Sequence, residues 1–348
     1  MEQHPDRATI APIPEGTPRP LWSVMIPTYN CASYLRETLT SVLAQAPEPD
    51  VMQIEVVDDY STKDDPAAVV EEVGRGRVSF YQQPENVGQT KNFATCLQRS
   101  RGKLVHLLHG DDCVRDGFYR KLQQAFDENS EIGAAFCRII RMDEYGHWSN
   151  ITDLEQPKSG VLSHWLERIA TQQRIQTPSI VVRRDVYEKL GGFDHRLSWC
   201  EDWEMWVRIA AQYPIWYEVE PLALYRQHSK SNTGGSISTG KNIQDVRRAI
   251  AIIKHYLPEE TADKLSRIAL EHYALFALTS AREVKETGDI NAAINQTREA
   301  LLCSTSLKVI LYLLKLKMWD IYFILMIGLF WKKPTSLQLG TANRINAN

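Results

Sequence analysis

Short apolar runs alternate with stretches of helical spacing through the first third of the chain. Residues 21–27, with β-branched residues among them, and then 53–57, 78–82 and 103–108 read as short strands. Between them, residues 34–46 place Leu35, Leu39, Val42 and Leu43 on one helical face and stop before Pro47. Residues 88–99 and 115–126 read the same way. This alternation predicts βαβ units, hence an α/β, Rossmann-like, mostly parallel sheet with flanking helices.

Beyond Gly133 the pattern changes. Residues 134–142 predict a strand and 143–146 a turn; 179–182 predict a short strand and 185–190 a helix. A further helix starts near Glu201, and residues 215–225 are strand-rich. From Lys241 the spacing is helical, with breaks at Pro258 and Gly288. The Ser-, Thr- and Gly-rich stretch 229–240 is the expected boundary of the main unit. Residues 1–20, with five prolines, are expected as a flexible lead-in. The expected units are therefore 1–20, 21–240, a helical extension over 241–303, an apolar helix over 304–333 and a polar tail over 334–348. Lysines flank the apolar helix, which suits a membrane interface. A core or dimer helix is the other reading.

Composition narrows the picture. With 348 residues, a net charge of −3 and 43% hydrophobic residues, the chain lacks the basic footprint of a nucleic-acid binder. Its six cysteines form no CxxC pair, which argues against zinc or a disulfide framework and for a reducing cytoplasm.

Two apolar runs end in paired acids, Asp58-Asp59 and Asp111-Asp112. Ligands bind outside the carboxyl ends of strands in open α/β sheets. Carboxylates gathered there need a cation or donors between them. Oxygen-rich ligation suits Mg²⁺ or Mn²⁺ bridging to phosphate. The turn Pro27-Thr28-Tyr29-Asn30 exposes backbone N–H groups and the Asn30 side chain. Asp58 or Asp59 can accept from a nucleobase or ribose; Lys91 offers charge to a base or phosphate. Glu201-Asp202 open an amphipathic helix whose dipole is expected to keep them ionised. Arg226 and His228 follow the last strand, where they could meet a diphosphate or the metal.

In order, Ser23-Val-Met-Ile-Pro-Thr-Tyr-Asn30, Val57-Asp-Asp-Tyr-Ser-Thr62, Asn86-Val-Gly88 with Lys91-Asn92, Gly110-Asp111-Asp112, Gly191-Gly-Phe-Asp194, Glu201-Asp202-Trp203 and Tyr225-Arg-Gln-His228 resemble the family 2 glycosyltransferases over roughly residues 21–232. The resemblance implies a GT-A fold, inversion, and a nucleotide-diphosphate sugar donor, UDP-sugars first. It implies a glycan or lipid-linked acceptor and Mg²⁺ or Mn²⁺; the apolar run 307–333 with its lysine flanks adds an expected place of work in the cytoplasm at the inner membrane face, with self-association left open. It places Asp58 or Asp59 on the base with Lys91 beside it, Asp111 near ribose and metal, and Asp112 on the metal. Asp202 becomes the general base with Glu201 beside it, while Arg226 and His228 hold the diphosphate. Pro27, Tyr29 and Asn30 complete the donor side. Three positions depart from the family pattern: His109 stands where an acid makes D-x-D, Lys91 where arginine is common, and Tyr60 where glycine is frequent.

Two other readings compete. A sugar nucleotidyltransferase would carry a Gly-rich basic loop after the first strand, unlike Pro27-Thr-Tyr-Asn30. A catalytically silent membrane adaptor would have no need of acids at all three positions.

Overall fold

The computed structural model describes residues 5–228, 232–318 and 321. The first half follows the expected alternation: β1 (Trp22–Thr28), α1 (Ala32–Leu43), β2 (Met52–Asp58), α2 (Pro66–Gly74), β3 (Ser79–Gln82), α3 (Gln89–Arg99), β4 (Leu104–Leu107), β5 (Cys113–Val114) and α4 (Phe118–Glu128). Helix α2 was not anticipated, although Asp65 caps it by accepting from the Ala68 N–H and Pro66 opens its first turn. Then come β6 (Ala134–Met142), β7 (Trp148–Ile151), β8 (Gly160–Val161), α5 (Trp165–Ile169), β9 (Ile180–Arg183), α6 (Arg184–Leu190), α7 (Glu201–Ala210) and β10 (Ile215–Arg226). Five helices follow: α8 (Asn232–Thr239), α9 (Lys241–Ile253), α10 (Glu259–Glu286), α11 (Ile290–Cys303) and α12 (Leu307–Lys315).

The strand order is β3-β2-β1-β4-β9-β6-β10-β5, with β7 beside β6 and β8 beside β10. Strands β3, β2, β1 and β4 are parallel, with Trp22 opposite both Met52 and Leu104. Beyond β4 the sheet is mixed: β9 runs antiparallel to β4 and β6, while β10 is parallel to β6.

Every residue of β1 is buried, because helices cover both faces. Val24 and Ile26 point to one core with Leu35, Leu39 and Leu122; Met25 points to the other with Leu97, Phe193, Trp203 and Trp206. The buried Ser23 hydroxyl accepts from the Arg101 and Gly102 N–H groups and donates to Gln53. A Cβ on Gly102 would lie 2.4 Å from the backbone of Trp22 and Ser23, so only glycine allows this approach.

The helical extension is not a separate body. Val246, Ala249, Ile250 and Ile253 of α9 share the core of Trp203 and Trp206, whereas α10, α11 and α12 also build an alanine-rich cluster of their own. Val309, Leu313, Met318 and Ile321 are buried in that cluster, so the start of the expected apolar helix packs on protein. The rest of 304–333 and the tail 334–348 lie outside the described residues. Among the described residues no helix is long and apolar enough to cross a membrane.

The lead-in needs a correction. Ile10 is 1% exposed within the core. His195 and Gly192 donate backbone N–H groups to Asp6 and Ala8, and the Arg184 guanidinium holds the Ala11 carbonyl. One apolar residue and a row of backbone acceptors suffice to seat a segment that composition makes look free.

Candidate active site

The loops after β1, β2 and β4 are stitched together at one sheet edge. Asn30, with φ 50°, turns its amide oxygen to the Thr62 and Lys63 N–H groups, both at 3.0 Å. The Asn30 side chain therefore ties two loops together, where a donor contact was expected. Pro27 lends its carbonyl to the Gly110 N–H, and Tyr29 is half exposed at the rim. A Cβ on Gly110 would meet Cys31 Sγ at 3.0 Å and Thr28 Cβ at 3.1 Å, which explains the glycine before the acid pair.

Both oxygens of Asp58 and of Asp59 are engaged. Asp58 accepts from the Ser61 N–H and hydroxyl and from the Gln82 amide. Asp59 accepts from the N–H groups of Val87 (2.8 Å) and Gly88 (3.0 Å) and from Asn86 Nδ2. Burial nevertheless raises the Asp59 pKa. These acids shape the loops at this sheet edge through their own hydrogen bonds. Tyr60, at φ 63°, holds a left-handed conformation that glycine adopts without strain, which accounts for glycine being frequent there. Lys91 is exposed on the first turn of α3.

Asp111 and Asp112 sit in the turn after β4. Asp112 Oδ1 accepts the Arg226 backbone N–H at 2.8 Å, while its buried Oδ2 has no hydrogen-bond partner. Burial and the neighbouring Asp111 charge push the Asp112 pKa well up. Burial acts to raise Asp111 too, but the His228 hydrogen bond and the two imidazoles bring it below its usual value. His109 stacks on Phe93 with centroids 5.3 Å apart, and its Nε2 is buried without a partner. Burial lowers the His109 pKa, which favours the neutral imidazole a metal requires.

One ligand atom from each of His109, Asp111 and Asp112 lies within 4.8 Å of the others. Two carboxylates, an imidazole and two orphaned buried atoms fit a divalent cation. His109, which departs from the family's acid, still brings a ligand, since imidazole binds metals. His228 stands behind this group: its Nε2 bonds Asp111 Oδ2 at 2.9 Å, which would orient a ligating carboxylate.

Arg226 does not occupy the position expected of it. Its buried guanidinium bonds the Asp111 carbonyl (2.8 Å) and Glu37 (2.5 Å) and lies over the Tyr34 ring at 4.7 Å. It braces the aspartate turn from behind, with its donors already committed to protein.

Glu201 and Asp202 begin α7. Glu201 is buried; Gln89 donates to its Oε1 at 2.6 Å, and its Oε2 is unpartnered. Asp202 Oδ2 accepts from Gln173 Nε2 at 2.8 Å and from Thr177 at 3.5 Å, and Oδ1 from the Trp203 N–H. The expected effect of the helix dipole is outweighed. Burial raises both carboxyls, Asp202 to about 7.

Electrostatics and helix α3 link the acid groups. Burial first, then Asp112, Asp111 and Asp202 in turn, push the Tyr225 hydroxyl above its ordinary pKa. Helix α3 starts in the loop held by Asp59, reaches Glu201 through Gln89 and stacks Phe93 on His109. An open groove of about 470 Å³ between α5 and the start of α10 lies instead near Ile215, the other end of β10.

Residues 23–191 match the family model described as Glycosyl transferase family 2. An uncharacterized glycosyltransferase of Methanocaldococcus jannaschii is 26% identical over 217 residues, 62% of this chain and 73% of that protein. An N-acetylglucosaminyltransferase of Mesorhizobium japonicum is 30% identical over 148 residues, 41% of this chain and 34% of the relative. TarS of S. aureus in complex with UDP-GlcNAc matches with a TM-score of 0.61 at 19% identity, covering 79% of this chain and 81% of that one. The mannosyltransferase PcManGT from Pyrobaculum calidifontis, in complex with GDP-Man and Mn2+, matches with a TM-score of 0.54 at 17% identity over 93% and 90% of the two chains. The fold implied by the sequence is the one observed.

Proposed function

Because this chain belongs to glycosyltransferase family 2, we propose that it moves a sugar from a nucleotide-diphosphate donor, UDP-GlcNAc first among them, to a hydroxyl of a glycan or lipid-linked acceptor with inversion at the anomeric carbon. The reading rests on one observation above the rest: ligand atoms of His109, Asp111 and Asp112 lie within 4.8 Å of one another, and the buried Asp112 Oδ2 among these groups has no hydrogen-bond partner. Asp202 of the second acid pair acts together with Asp112 and Asp111 on the Tyr225 hydroxyl.

His109, Asp111 and Asp112 would hold Mg²⁺ or Mn²⁺, which supplies charge stabilisation for a departing diphosphate. Tyr29 and the loops shaped by Asp58 and Asp59 form the donor side, with Lys91 at its rim. Asp202 takes the acceptor hydroxyl's proton as the oxygen attacks from the face opposite the leaving group. A positioned base contributes about 10²–10⁴-fold. Gln173 and Thr177 fix the carboxylate's direction. Glu201 stays close to neutral in its buried seat, so two adjacent acids need not both be charged.

The test is nucleoside diphosphate release from UDP-GlcNAc and GDP-Man by the full chain, with Mn²⁺ or with EDTA. Release that requires the metal and is lost in Asp112→Ala and Asp202→Asn supports the reading. Wild-type rates in both variants would overturn it.

A further inference from the structure

Helix α7 carries the base at its N-terminus, yet its own N-cap residue, Cys200, offers no side-chain cap. The residues that lead into the helix are held from elsewhere in the chain. Asp245 of α9 is buried, and its Oδ2 accepts the N–H groups of Ser198 (3.1 Å), Trp199 (2.9 Å) and Cys200 (3.0 Å). Three donors meet on one buried carboxylate oxygen, and the Cys200 N–H is itself buried, where losing its partner is costly, so the chain entering α7 has little freedom to shift. The next two residues are Glu201 and Asp202. The same helical extension reaches the other side of the base. The Tyr273 hydroxyl of α10 accepts the Gln173 N–H at 3.1 Å, Gln173 Nε2 bonds Asp202, and the Tyr273 ring lies 5.1 Å from that of Trp203.

We infer that Asp245 is a positioning residue for the transfer reaction: through the backbone of residues 198–200, the C-terminal helical extension sets the base-bearing end of α7. This rests on the assignment of Asp202 as general base. The alternative is that Asp245 only adds stability, as a cap does anywhere.

The experiment uses the full chain and two independent readouts. Hydrogen exchange is followed on peptides covering residues 196–206 and, as control, on those covering β1, β2 and β4. UDP release from UDP-GlcNAc with Mn²⁺ is measured in parallel. In Asp245→Ala the amides of residues 198–200 should exchange about tenfold faster or more, with the sheet peptides unchanged. Its kcat should fall on the order of 100-fold, as for a base displaced by about an ångström, with the donor KM within about threefold. Asp245→Asn keeps an acceptor oxygen and should recover most of both losses. Tyr273→Phe should lower kcat while leaving exchange at 198–200 unchanged. Unaltered exchange at 198–200 in Asp245→Ala would overturn the inference, as would a loss of activity no larger than the loss of folded protein. If the wild type does not turn over UDP-GlcNAc, the donor reading fails, while the exchange arm still decides the clamp.

Discussion

Arg226 donates its backbone N–H to Asp112 Oδ1 at 2.8 Å while its side chain holds the Asp111 carbonyl and Glu37. One residue at the end of β10 thus fixes both members of the acid pair. Arg226→Ala should lower stability by about 2–3 kcal/mol, read by chemical denaturation, because charged hydrogen bonds are lost and the aspartate turn is unbraced. Activity should become harder to saturate with Mn²⁺, with the donor KM nearly unchanged at saturating metal. A large rise in donor KM would restore a direct diphosphate contact. Arg226→Lys should retain only part of the bracing, since a point charge cannot serve forked acceptors.

Asp112 should trade stability for activity. Its pKa is raised by burial, so its ionised form is disfavoured in the folded chain. That penalty is absent below the ordinary carboxyl pKa and grows as pH rises above it. Asp112→Asn should therefore raise the Tm in EDTA at pH 8 by roughly 2 °C or more, with a smaller gain near pH 4. Mn²⁺-dependent release of nucleoside diphosphate should be abolished. A Tm that falls at both pH values would contradict the account.

The pH profile should report Asp202. With its pKa raised to about 7, the carboxylate is the minor form at pH 6, and kcat/KM should climb through neutrality to a plateau. Gln173→Ala removes a donor to the charged form, so the acidic limb should move to higher pH. A limb left in place would mean that another group limits the rate.

Asp59→Asn places an amide among three donors and should free the loop of residues 86–88. The expected cost is about 1–3 kcal/mol, with a higher donor KM and a smaller change in kcat. Calorimetry with UDP and Mn²⁺ checks the binding side directly.

The parallel half of the sheet was legible because β1, β2 and β4 are short, mostly apolar runs and the intervening helices are amphipathic. Strand β9 was legible as a strand, but its antiparallel course was not: periodicity gives no sign of direction. The acids at the loop ends were legible as candidates by type and spacing. Their division of labour was not, because it depends on neighbours far along the chain. Asn30 and Arg226 look like ligand contacts in one dimension; Thr62, Lys63, Glu37 and Asp111 claim them in three. The local sequence shows Asp245 only as an acid with Arg248 one turn on; the three N–H groups it holds lie more than 40 residues earlier.

The seating of residues 6–11 bears on the order in which the molecule is completed. Arg7 pairs with Asp194 and Glu204 and bonds the Tyr256 hydroxyl, so partners for its side chain stand 187 to 249 positions downstream. At about 5–20 residues per second, a ribosome delivers the last of these on the order of tens of seconds after the first residues emerge. The seating of Arg7 can therefore be completed only after Tyr256 has been made, which ties the first described residues to the helical extension.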